Sequence, residues 1–252
     1  MATRPPVRNL DELNRSFEGA HPEEILAWAA ETFGADIVAS SSFQTQGVPL
    51  LHMISRVRPD LPILFLDTGY HFPETLAFRD QLVREWGLSL RVVRAVLSRD
   101  ELVGQYGHDL YRRDPDLCCH VNKVEPMQRA LAGLRAWISG IRRDQSPARA
   151  NIQILEQTRQ GVIRVHPMAT WARQDIWRYI HQHNLPEHPL LAQGYLSVGC
   201  APCTRPVHIG EDERAGRWVG QERTECGLHT LLREMTGGHT PESVDVTRDR
   251  ER

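Results

Sequence analysis

The chain has 252 residues, a formal net charge of -2, and hydrophobic and charged fractions of 40% and 25%. That length can bury the core of one large domain or two small ones, and ordinary charge content excludes general disorder. The near-neutral balance argues against a generally basic nucleic-acid binder, and no apolar run approaches the roughly 18 residues needed to cross a bilayer. The start, MATRPPVRNLDELN, lacks a signal-peptide apolar core, so the chain reads as cytoplasmic. Thiols there stay reduced, so the five cysteines point to metal or redox chemistry rather than disulfides.

In chain order, 10–17 and 22–33 have helical spacing, with Ile25, Leu26, Ala29 and Ala30 on one face. Residues 36–40 suit a buried strand, 47–57 a helix and 62–66 a second strand. The next helix begins near Pro73, where a missing amide proton costs little. Residues 90–96 and 137–140 read as third and fourth strands, with a helix over 124–134 between them. This alternation predicts an α/β fold with a mostly parallel sheet flanked by helices. Residues 152–156 and 162–165 suit a hairpin and 173–184 a helix, after which the pattern fades into an irregular C-terminal extension.

The loops after the first two strands stand where parallel α/β sheets bind ligands. In SSSFQTQG (40–47), hydroxyls and successive amides ahead of a helix can hold an anionic or ribose-phosphate group; the bland alternative is a helix cap. The Walker pattern is absent. In DTGYH (67–71), the Asp67 carboxylate can accept from ribose hydroxyls and Gly69 permits close approach.

Cys200 and Cys203 form a CxxC pair, a common chelating arrangement. Cys118 and Cys119 are adjacent. In a strand they would diverge, whereas a helix started by Asp114-Pro115 brings them closer together. Four thiolates match the four irons of a [4Fe–4S] cluster, with zinc as the alternative metal. Lys123, four residues after Cys119, shares its face on a helix. Cys226 stands alone among polar neighbours; a reactive thiol there needs activation, for which His229 or a cation would serve. Arg142, Arg143, Arg149, Arg205, Arg214 and Arg217 supply forks suited to phosphate or sulfate oxygens.

CCHVNKVEP (118–126), GIRRDQS (140–146), GYLSVG (194–199) followed by CAPC, and ECGLH (225–229) together resemble the thioredoxin-dependent assimilatory adenylyl-sulfate reductases of the APS/PAPS reductase family. The resemblance runs from about Ala35 to His229 and implies an adenine nucleotide α-hydrolase-like fold. It also implies the reaction of adenylyl sulfate with reduced thioredoxin, or a glutaredoxin-like donor, to sulfite and AMP. By resemblance, Cys118, Cys119, Cys200 and Cys203 ligate a [4Fe–4S] cluster, and Cys226 is the nucleophile that forms an S-sulfocysteine. Lys123, Arg149, Arg214 and Arg217 match positions that hold the phosphosulfate; Ser40, Ser42, Leu66, Asp67 and Gly140 match the adenosine cradle, with Arg142, Arg143 and His229 supporting. The implied organisation is an N-terminal helical segment (1–34), a nucleotide- and cluster-binding domain (35–209) and a mobile segment carrying the catalytic cysteine (210–252). Neither nucleic acid nor membrane is an expected partner. Asn122 departs from the Arg expected beside the lysine, and the first loop lacks the Gly-rich pattern of ATP pyrophosphatases, which argues against ATP hydrolysis. The alternatives are a 3′-phosphoadenylyl-sulfate or dual-substrate reductase, and a non-catalytic Fe–S or zinc nucleotide-binding regulator.

Overall fold

The structure is a computed structural model that describes residues 9–158, 160–218 and 225. Two helices open it: α1 (Leu10–Phe17) and α2 (Pro22–Phe33). His21 caps α2 in a capping box with Glu24, and Pro22 takes the first turn. β1 (Ile37–Ser40), α3 (Val48–Val57), β2 (Ile63–Asp67), α4 (Pro73–Trp86) and β3 (Leu90–Arg94) follow in the expected alternation. Two short helices unmarked in the sequence reading come next: α5 (Arg99–Tyr106) and α6 (Leu110–Arg113). Their one clear signal was the Ser98/Glu101 capping box at the start of α5.

The next helix also starts earlier than its apolar spacing indicates. α7 (Pro115–Cys119) is capped by Asp114, passes through a π-helical turn (His120–Val124) and continues as α8 (Glu125–Leu131). β4 (Ala136–Ser139), β5 (Leu155–Gln157), β6 (Ile163–Val165) and α9 (Arg173–Gln182) complete the regular elements. The hairpin is present, but its first strand is 155–157 rather than 152–156. Beyond α9 the described chain holds only short 3-10 turns, as the faded periodicity anticipated.

The six strands run in the order β3-β2-β1-β4-β6-β5, all parallel except the antiparallel edge strand β5. Alternation along the strands feeds two cores. Ile37, Ala39, Ile63, Phe65, Ala136 and Ile138 pack on one face with side chains of α2, α3 and α9. Val38, Leu64 and Trp137 pack on the other with Met127 and Leu131 of α8. Because both faces are covered, these strands read as continuous apolar runs. The chain winds from β1 outward to β3, then returns to place β4 on the other side of β1. The switch point between β1 and β4 opens a crevice at the carboxyl ends of the strands. No helix among the described residues is long and apolar enough to cross a membrane.

Candidate active site

A cavity of about 200 Å³ occupies that crevice. Ser40 and Ser42 reach it from β1 and its loop, Leu66 from β2, Gly140 from beyond β4, and Lys123 from the π-helical turn. Arg149, Arg214 and Arg217 line it from loops. Eight of the nine expected substrate residues therefore meet in one place. The ninth, Asp67, accepts from the Gly69 amide at 3.1 Å and pairs with Arg94 at 2.9 Å. The first loop is shaped by Phe43, whose left-handed φ of 55° sends its ring into the core, edge-on to Phe65. A left-handed non-glycine residue persists only where packing over-determines it, and Phe43 is fully buried.

The cationic end is tightly engaged. Arg149 donates to Glu225 from Nε at 3.0 Å and Nη2 at 2.5 Å, Ser146 donates to the same carboxylate at 2.6 Å, and Arg214 lies 3.2 Å from it. Burial would raise the Glu225 carboxyl, but Arg149, Ser146 and Arg214 outweigh it and hold it below its ordinary value. Arg217 stacks over Trp218 at 4.5 Å and donates to the Val198 carbonyl at 3.3 Å. A Cβ on Gly199 would stand 2.2 Å from the Arg217 guanidinium, so the bare backbone there lets it lie close. Of the supporting arginines, Arg142 is buried and bound to Asp144 and Gln46, and Arg143 is committed to Glu18 and the Ile152 carbonyl. Cys226 and His229 lie outside the described residues.

Sharing a wall with this pocket is a second cavity of about 20 Å³, lined by Cys118, Cys119, Cys200 and Cys203. Thr68, Lys123, Cys200 and Trp218 line both. None of the four sulfurs is in a disulfide among the described residues, and Thr68 Oγ1 lies 3.4 Å from Cys200 Sγ. Burial first, then neighbouring Cys200 and Cys203, pushes the Cys118 thiol up to about 11. Among the described residues, no group of three or more His, Cys, Asp or Glu is gathered tightly enough to hold a metal ion. The donor set at this cavity is nonetheless all sulfur, the kind that suits iron–sulfur groups or zinc. The π turn widens the register between Cys119 and Lys123, yet both still line the cavity. Asn122, where an arginine was expected, donates to the Cys118 carbonyl at 2.9 Å.

Irregular chain closes the sulfur cavity. The Ala201 amide donates to the Tyr70 carbonyl at 2.7 Å and the Trp218 amide to the Cys203 carbonyl at 3.1 Å. An isolated antiparallel bridge joins Thr204 to Arg217. It depends on Gly216, where a Cβ would lie 2.3 Å from the Arg205 carbonyl oxygen. Sequence reasoning missed Ser139, His71, Gln145 and Trp218 in the pocket, and Glu225 as the partner of its arginines. The signal for Ser139 was its place at the end of a central strand; Glu225 carried none beyond its place in ECGLH.

Comparison with known proteins agrees with this arrangement. Residues 36–206 match the model of the phosphoadenosine phosphosulfate reductase domain. An adenosine 5′-phosphosulfate reductase of Streptomyces coelicolor is 44% identical over 220 residues, covering 87% of this chain and 92% of the relative. A phosphoadenosine 5′-phosphosulfate reductase of Gloeobacter violaceus is 44% identical over 224 residues, covering 87% and 93%. The crystal structure of phosphoadenylyl-sulfate reductase from Candida auris in complex with phosphate superposes with a TM-score of 0.69 at 28% identity, covering 79% of this chain and 98% of that one. With the family's model spanning all six strands and most residues that line the two cavities, the chain belongs to the phosphoadenosine phosphosulfate reductase domain family.

Proposed function

We propose that the protein is a cytoplasmic, assimilatory enzyme that reduces adenylyl sulfate to sulfite and AMP with thioredoxin as electron donor. The observation that carries this reading is one pocket with two chemically distinct ends: hydroxyls and backbone at the strand termini, and Lys123, Arg149, Arg214 and Arg217 beyond them. The first end suits adenosine; the second suits a phosphosulfate, whose repelling oxygens need cations before a thiolate can approach.

In this mechanism the Cys226 thiolate attacks the sulfate sulfur. An S–S bond forms, the S–O bond to AMP breaks, and AMP departs with the electron pair. A thioredoxin thiolate then attacks Cys226 Sγ and expels sulfite, leaving a mixed disulfide. The second thioredoxin thiol resolves it, returning Cys226 to the reduced state and leaving thioredoxin oxidised by two electrons. Cys118, Cys119, Cys200 and Cys203 are the residues that would hold a [4Fe–4S] group. Such a group would supply a fixed charge centre and a cross-link beside the substrate's anionic end.

The test is sulfite release with reduced thioredoxin, together with protein mass after exposure to adenylyl sulfate without reductant. A sulfite-mass adduct on Cys226, absent in Cys226→Ser along with turnover, is expected. Full turnover by Cys226→Ser would refute the assignment and leave the non-catalytic nucleotide-binding regulator. A second reading, acceptance of a 3′-phosphorylated substrate, draws on relatives of equal identity that carry both names. Steady-state kinetics with the two nucleotides decide it.

A further inference from the structure

Behind the pocket floor lies a buried polar chain that the proposed mechanism does not use. Ser139, the last residue of β4, lines the pocket and is 4% exposed. Its Oγ stands 2.9 Å from Nδ1 of His166, which follows β6 and is fully buried. The other ring nitrogen, Nε2, makes no hydrogen bond but lies 3.5 Å from Oε2 of Glu156 on β5, and Arg164 holds the same oxygen at 3.3 Å. A polar chain of this kind amid an apolar sheet is costly unless each member has a partner.

We propose that His166 is a positioning residue that fixes the Ser139 hydroxyl as a hydrogen-bond acceptor in the pocket floor, for an O–H or N–H of the bound nucleoside. The proposal rests on the nucleotide reading above. The charges around the ring support the polarity. Burial pushes the imidazole below its ordinary value, so the ring is neutral and carries one N–H. Burial would raise Glu156, but His166 and Arg164 bring it down to about 2, so it is an ionised carboxylate that only accepts. The charge of that carboxylate, 3.5 Å from Nε2, favours the tautomer with the proton on Nε2, which leaves Nδ1 a lone pair. Ser139 then donates to Nδ1, and its remaining lone pairs are left for the cavity. The lowered basicity also makes His166 a poor general base, which argues against a serine-nucleophile relay.

The neighbouring strand supplies the complement. Ser40 of β1 is in register with Ser139, and Trp137 Nε1 donates to Ser40 Oγ at 2.8 Å. An indole N–H only donates, so Ser40 retains its own proton for another acceptor. The floor thus presents a donor beside an acceptor. That pair fits nucleoside groups carrying both functions: the ribose diol, or the amino edge of adenine.

The experiment titrates the full chain with AMP, 2′-deoxy-AMP, 3′-deoxy-AMP and purine riboside monophosphate, which lacks the 6-amino group. Wild type is expected to bind one analogue about 3- to 10-fold more weakly than AMP. Ser139→Ala should lose that same factor for AMP while binding that analogue as wild type does; the analogue's identity names the group. His166→Asn, whose amide can take the Ser139 proton near the Nδ1 position, should stay within about 2-fold of wild type, and His166→Leu should match Ser139→Ala. If His166→Leu does not fold, His166→Phe, which also cannot accept the Ser139 proton, takes its place and should match Ser139→Ala. Equal weakening of all four ligands by Ser139→Ala, or none, overturns the proposal. Wild type that binds no AMP overturns the nucleotide reading with it.

Discussion

The substrate-sized pocket and the sulfur cavity meet along Thr68, Lys123, Cys200 and Trp218, but the chain builds them by different means. The pocket hangs from the ends of β1, β2 and β4, where two apolar cores fix every strand. The sulfur cavity is assembled from a short helix, a π turn and irregular chain around Cys200, held by single backbone bonds and one isolated bridge. One is a product of topology, which any sequence with this strand pattern would provide. The other depends on particular thiols and on a glycine that lets two chain segments touch.

Substitutions confined to one cavity should therefore separate the two. Cys203 lines the sulfur cavity and not the pocket. Cys203→Ser should strip the proposed iron and lower sulfite release by about 100-fold or more, while AMP affinity, read by calorimetry, stays within a few-fold. A parallel collapse of AMP binding would mean that the cavities are one structural unit. Arg149→Ala is the converse. It leaves Glu225 as a buried carboxylate without its bidentate partner, so urea unfolding should show a loss of about 3–5 kcal/mol. Adenylyl sulfate binding should weaken while iron content holds.

The smallest expected effect concerns a joint between the first loop and α4. His188 links the Thr45 hydroxyl in the first loop to Thr75 on α4, and burial pushes its imidazole down to about 4. The fold therefore favours neutral His188. Its contribution is complete above the unfolded value near 6.5 and is lost as pH falls toward 4, at up to about 1.4 kcal/mol per pH unit. Urea midpoints between pH 7 and pH 5 should fall accordingly, and His188→Gln should flatten the slope.

The strands could be read because burial on both faces turns them into uninterrupted apolar runs, as in 62–66. The helix start at Asp114-Pro115 could be read because capping chemistry is local. The π turn left no mark, since inserting one residue into a helical ladder changes no composition. Nor did Glu225 reveal its partner: an ion pair between residues 76 positions apart depends on loop geometry, not spacing. Asp67 pairs with Arg94 here, and its strand-end position suits that arginine as well as it suits a ribose contact, so spacing alone does not choose between the two. The cysteines were legible for the opposite reason. Thiols are rare enough that an adjacent pair and a CxxC stand out without any geometry.

The carboxylate of Glu225 on Arg149 and Arg214 has one more consequence. An anion that takes those arginines must replace a competitor tethered to the same chain, whose effective concentration is of millimolar order or higher. Free sulfate or phosphate has only its own charge with which to make that exchange. Under the proposed function, a nucleotide would bring the binding energy of its base and sugar at the other end of the pocket, and so would displace what a bare ion could not. On that reading the ion pairs would act as a threshold, ceding the arginines only to a ligand that is anchored elsewhere.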